Sequence, residues 1–129
     1  MIDRRALLLA SAAAALAPGS AIAAPELKVI YVGGEDCPPC RRWKADRKPA
    51  WLASPEYRQV TWIEIEPPKL KEAYRERYWP GDLRPILDQL PRKSGTPRFL
   101  IVKDGRVVSN AFGGSQWNTI ITDLRNLLG

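Results

Sequence analysis

The chain has 129 residues, with 20 Lys plus Arg against 14 Asp plus Glu, two Cys and no His. That length holds one domain, and 45% hydrophobic with 26% charged residues suits a folded chain rather than a disordered one. Without histidine, no Ser-His-Asp triad, Cys-His dyad, His-ligated zinc or imidazole acid–base pair can be built from this chain alone. Chemistry falls to Cys, carboxylates, Lys, Tyr or the backbone.

Residues 1–23 read as a cleavable signal peptide, and 24–129 as the domain. Arg4 and Arg5 supply a cationic start, Ala6 to Ala17 is a small and apolar run too short to span a bilayer, and Pro18-Gly19 breaks it. Ala21-Ile22-Ala23 then offers an A-x-A cleavage site. The expected location is periplasmic or secreted. Arg4-Arg5 followed by Leu7-Leu8 also resembles a twin-arginine signal, so Sec and Tat export both stand. Removing Arg4, Arg5 and Asp3 leaves 18 basic and 13 acidic residues, a net of +5. The cations are spread from Arg41 to Lys93 without a block, so they read as a solvated surface, and no nucleic-acid partner is expected.

Leu27 to Val32 is an apolar, β-branched run before Gly33-Gly34 and reads as a buried strand. Cys37-Pro38-Pro39-Cys40 follows, opening a helix to about Leu52 in which Pro38 and Pro39 fit the first turn. Pro49 should kink or end that helix near Lys48. Gln59 to Glu66 alternates as a second strand, and Lys69 to Trp79 carries Leu70, Ala73, Tyr74 and Tyr78 at helical spacing. A shorter helix is expected at Leu83 to Leu90. Phe99 to Val102 and Arg106 to Ala111 form a hairpin about Asp104-Gly105. Ser115 is expected to cap a last helix with Trp117, Ile120, Ile121, Leu124, Leu127 and Leu128 in one stripe. The order is β-α-β-α-α-β-β-α.

A Cys-x-x-Cys after a strand and at a helix start has a physical use. Unpaired N–H groups and the positive dipole end favour thiolate there, which makes Cys37 the nucleophile. Cys40, one turn inside, is placed to resolve a mixed disulfide. A zinc site would need four ligands where only two Cys exist, and an inert staple across so short a loop adds little stability. Redox exchange is the stronger reading, and no bound metal is expected.

Cys37-Pro38-Pro39-Cys40 after one strand and Gly95-Thr96-Pro97 before another resemble the thioredoxin superfamily. The likeness covers residues 27–129 apart from a longer connection at 67–95. It implies an α/β, thioredoxin-like fold: a four-stranded mixed sheet in the order 59–66, 27–32, 98–102, 106–111. The N-terminal strand–helix unit would be absent, and a helical insertion would precede the cis-proline. By the resemblance Pro97 is that cis-proline, and Thr96, Pro97 and Gly113 bind substrate peptide. The chain also departs from the pattern. Tyr31 stands where the family has a buried aspartate, Trp62 where its partner lysine would be, and Asp36 in place of a tryptophan. Glu35, Glu64 or water would have to substitute for the buried acid, while Glu35 and Asp36 would sit solvated beside the site and oppose thiolate at Cys37.

The expected function is a periplasmic thiol–disulfide oxidoreductase that reduces protein disulfides, with the Cys37–Cys40 disulfide as its redox group and no dissociable cofactor. Partners would be protein clients with disulfides or thiol pairs and a membrane electron donor or acceptor, the protein itself being a monomer. The alternatives are a disulfide isomerase or oxidase, or a copper-handling or client-binding module of the same fold. Two thiolates suit copper(I), although related copper chaperones also use a His.

Overall fold

Alternating apolar residues need two covers, and the strands of this chain find them on opposite faces of one sheet. The computed structural model describes residues 25–129, so the expected signal peptide at 1–23 lies outside the described residues. Strand β1 (Leu27–Val32) leads through Gly33-Gly34 to helix α1 (Pro38–Asp46), and a break at Arg47 separates it from α2 (Lys48–Leu52). This is the kink expected from Pro49. A 3₁₀ turn at Tyr57–Gln59 precedes β2 (Thr61–Ile65). Helix α3 (Arg84–Gln89), strands β3 (Arg98–Lys103) and β4 (Arg106–Phe112), and helix α4 (Trp117–Leu128) complete the order.

Among the described residues the sheet has four strands in the order β2-β1-β3-β4. The pair β1 and β2 is parallel, with Ile30 opposite Ile63; β1 and β3 are antiparallel, as are β3 and β4. The expected sheet is therefore the one found. The β3–β4 turn places Asp104 at φ 48° and Gly105 at φ 84°, the two positive angles that match the twist of a tight hairpin.

Odd-numbered side chains of β1 and β3 (Val29, Tyr31, Phe99, Ile101) meet Trp43, Trp51 and the Trp117, Ile120, Leu124 stripe of α4. Even-numbered ones (Ile30, Val32, Leu100, Val102) meet Ala73, Trp79, Leu83, Ile86, Leu87 and Leu90. The 67–95 connection thus forms the whole second layer. No helix of the described residues is long and apolar enough to cross a membrane.

Two local expectations are corrected. Residues 69–79 are not an α-helix; they form 3₁₀ turns at Leu70–Glu72 and Glu76–Tyr78, with a third at Gly81–Leu83. Their backbone N–H groups bond three residues back, Ala73 to the Leu70 carbonyl and Trp79 to the Glu76 carbonyl, and side-chain bonds brace the turns. The Asp36 carboxylate accepts the Leu70 N–H at 2.7 Å, and the Trp79 indole N–H donates to the Ala73 carbonyl at 2.8 Å. Ser115 does not cap α4, because it lies inside a 3₁₀ turn at Gly114–Gln116 that leads into the helix. Gln116 is the cap residue and makes no side-chain capping bond.

Candidate active site

The strand β1 ends in two glycines because bulkier residues do not fit. A Cβ on Gly34 would lie 2.5 Å from Leu70 Cα, so the 67–73 segment closes directly over the loop. The Cys37 N–H donates to the Gly34 carbonyl at 3.2 Å, which turns the chain into α1.

Cys37 is the N-cap of α1 and is joined to Cys40 by a disulfide, with their Cα atoms 5.2 Å apart. Pro38 and Pro39 fill the first two helical positions and have no N–H. The first free helix-end donor is therefore the Cys40 N–H, and it reaches Cys37 Sγ at 3.2 Å. The Thr96 hydroxyl donates to the same sulfur at 3.3 Å. Both cysteines are buried, Cys37 at 1% exposure and Cys40 at 0%. Exposure does not distinguish them; the two donors aimed at Cys37 Sγ do.

The Thr96–Pro97 peptide bond is cis. The Pro97 carbonyl accepts the Gly113 N–H at 2.8 Å, and Gly113 adopts φ 89°, a region that favours glycine. Cys37, Cys40, Thr96, Pro97 and Gly113 are thus linked into one constellation, with Pro38 and Pro39 on its helical edge. The Thr96 side chain turns onto the sulfur, while its N–H and C=O make no backbone hydrogen bond among the described residues. Beside the pair lies a surface groove of about 400 Å³ lined by Pro39, Arg42, Arg47, Gly114 and Ser115 among others.

Arg98, next after the cis bond, is a residue that sequence reasoning missed. It is fully buried, donates from Nε to Asn110 Oδ1 at 2.8 Å and from Nη1 to the Arg92 carbonyl, and stacks over the Phe112 ring at 4.4 Å. Tyr74 adds a bond from its hydroxyl to the Gly95 carbonyl at 2.6 Å. Together they hold the 92–97 loop that presents Thr96. The one signal was an arginine opening the apolar run RFLIV.

The acidic neighbours follow expectation only in part. Glu35 and Asp36 are exposed, but Asp36 is engaged by Leu70 and Glu35 gives its carbonyl to Arg41 at 3.0 Å. Glu64 turns to Lys48 at 2.6 Å and the Trp62 indole at 3.0 Å. Burial pushes its carboxyl up, yet the bonds from Lys48 and Trp62 and the charges of Lys48 and Lys44 outweigh that and hold it below the usual range. The carboxylate that reaches Tyr31 is Glu66, at 2.6 Å from the phenol oxygen. Among the described residues no group of three or more His, Cys, Asp or Glu is arranged to hold a metal ion.

No protein-family model matches the chain. No curated protein matches it by sequence either. Solved structures do resemble it. The periplasmic thioredoxin SoxS from Paracoccus pantotrophus, in its reduced form, superposes with a TM-score of 0.57 at 21% identity, covering 81% of this chain and 97% of that one. A thioredoxin of Malassezia sympodialis gives 0.52 at 17% identity over 76% of each chain. The oxidised thioredoxin of Plasmodium falciparum gives 0.50 at 17% identity, over 76% of this chain and 80% of that one. The fold is thioredoxin-like.

Proposed function

We propose that this chain is a periplasmic thiol–disulfide oxidoreductase that reduces protein disulfides through Cys37 and Cys40. The observation that carries the reading is the pair of donors on Cys37 Sγ, the Cys40 N–H and the Thr96 hydroxyl, at the start of α1. Both bonds strengthen when the sulfur carries charge, so they favour the thiolate that attacks. In the reduced protein, Cys37 thiolate attacks one sulfur of a client disulfide, forms a mixed disulfide and expels the other client sulfur as thiolate. Cys40 then attacks Cys37 Sγ, closing the Cys37–Cys40 bond and releasing the second client thiolate. Two electrons pass to the client and no dissociable cofactor is needed.

The free backbone groups of Thr96 suit an extended client peptide added edge-on, flanked by Pro97 and Gly113. Partners on this reading are protein clients and a membrane electron donor that restores the dithiol, with the protein acting as a monomer. The signal-like sequence pattern of residues 1–23 and the periplasmic thioredoxin among the structural neighbours support the location. Reduction is favoured over oxidation because Pro38 and Pro39 withhold two helix-end donors, leaving Cys37 with modest stabilisation.

Turnover of insulin disulfides, together with a redox titration against glutathione, tests the reading. A reductant has a potential near about −270 mV, whereas a value near about −120 mV would indicate an oxidant. Inactivity on insulin with tight copper(I) binding would instead favour a metal-handling module.

A further inference from the structure

The inner sulfur has a neighbour that the exchange reading does not use. Tyr31 is fully buried, stacked on Trp43 with ring centroids 5.2 Å apart, and its hydroxyl donates to Glu66 Oε2 at 2.6 Å. The other Glu66 oxygen accepts from Lys44 Nζ at 2.6 Å. Gly33 lies between this hydroxyl and Cys40. The position its missing Cβ would occupy is 2.1 Å from Tyr31 Oη and 3.1 Å from Cys40 Sγ, so oxygen and sulfur border the same space, which a side chain at Gly33 would fill. Phenylalanine would fill the aromatic stack equally well without burying a hydroxyl against a carboxylate.

We propose that Tyr31 and Glu66 form a proton relay serving Cys40. The inference rests on the exchange reading above, in which Cys40 must lose its proton to resolve a mixed disulfide on Cys37. As Cys40 Sγ attacks Cys37 Sγ, its proton passes to Tyr31 Oη while the Tyr31 proton passes to Glu66 Oε2. The Cys37–Cys40 bond forms, the bond from Cys37 to the client sulfur breaks, and the client leaves as thiolate. Glu66, with its side chain 18% exposed, then gives the proton to solvent. Tyr31 stays a neutral phenol throughout, since burial first, and then the Glu66 bond and the charges of Glu66 and Glu64, push its ionisation upward. The charged groups facing the relay are Glu66 and Glu64 from the β2 side and Lys44 from α1, with Lys48 of α2 paired to Glu64.

The test uses reduced protein and substoichiometric 5,5′-dithiobis(2-nitrobenzoate) in a stopped-flow instrument from pH 5 to 9. The first release of thionitrobenzoate reports attack by Cys37, and the second reports Cys40 resolving the Cys37 adduct. Tyr31→Phe and Glu66→Gln are expected to slow the second phase about 100-fold at neutral pH, the lower end for positioned acid–base groups, and to move its pH midpoint upward. The first phase should keep its rate. Glu66 is partly exposed, so its variant remains informative if the Tyr31 variant does not fold. A second phase whose pH profile matches the unmodified protein in both variants overturns the relay and leaves the exchange reading standing. Equal slowing of both phases also overturns it, as a general structural effect. Absence of a second phase in the unmodified protein overturns the exchange reading itself.

Discussion

Replacing Gly33 with alanine probes the contact on which the inner half of the site depends. The new Cβ would fall 2.1 Å from Tyr31 Oη, 2.5 Å from Tyr31 Cζ and 3.1 Å from Cys40 Sγ. Gly33 does not lie in the left-handed region, so the penalty is one of contact and not of backbone conformation. Nor is the phenol a flexible tip, because its ring is fixed against Trp43 at 5.2 Å and Phe99 at 6.0 Å between centroids. Relief requires the ring to shift and the Glu66 bond to break. Overpacking of this kind costs about 1–3 kcal/mol and a lost hydrogen bond to a charged group about 1.5–3 kcal/mol. The expected loss is about 3–5 kcal/mol from a total of about 5–15 kcal/mol for a domain of this size. Urea unfolding of the oxidised protein measures it as a lower midpoint at unchanged slope. A loss under about 0.5 kcal/mol, as for an ordinary surface substitution, would refute the tight packing of Tyr31 beneath Cys40.

Thr96→Val keeps the shape but removes the hydroxyl on Cys37 Sγ. A bond to a charged group is worth about 1.5–3 kcal/mol and about 1.4 kcal/mol is one pKa unit, so the Cys37 thiol should titrate about one unit or more higher in pH-dependent alkylation; an unchanged titration would count against the role of that bond. Glu64 is held below its ordinary value of 4.5, so its contribution to stability is complete above that pH and is lost as pH falls through the lower folded value. Glu64→Gln should therefore lose little more than about 0.5 kcal/mol at neutral pH, given solvent screening, and should flatten thermal stability below pH 4.5; an equally steep acid loss in the variant would contradict this.

The sheet was legible because its signals are local. Residues 27–32 and 99–102 alternate between two buried faces, and Asp104-Gly105 has the turn chemistry of a hairpin. The cysteine motif is local too, whereas the cis bond at Thr96-Pro97 was expected only from the family resemblance. Residues 69–79 misled because their helical spacing is real, yet the segment settles into short 3₁₀ turns braced by the Asp36 carboxylate from outside it and by Glu72 and the Trp79 indole from within. Ser115 misled because a 3₁₀ turn intervenes before the helix. The relay was hidden by distance in sequence. Tyr31 and Glu66 are 35 residues apart, and the choice of Glu66 over Glu35 or Glu64 depends on strand register and on Lys44 from a third element.

Whether Cys37 attacks and Cys40 resolves is decided by trapping. Cys40→Ser and Cys37→Ser proteins are each mixed with a peptide containing one disulfide, and the covalent adduct is quantified by intact-mass spectrometry. The donors on Cys37 Sγ predict that Cys40→Ser accumulates a stable mixed disulfide on Cys37, whereas Cys37→Ser accumulates little and reacts slowly with an alkylating reagent. Equal trapping by the two variants, or more adduct on Cys40 than on Cys37, would contradict the assignment.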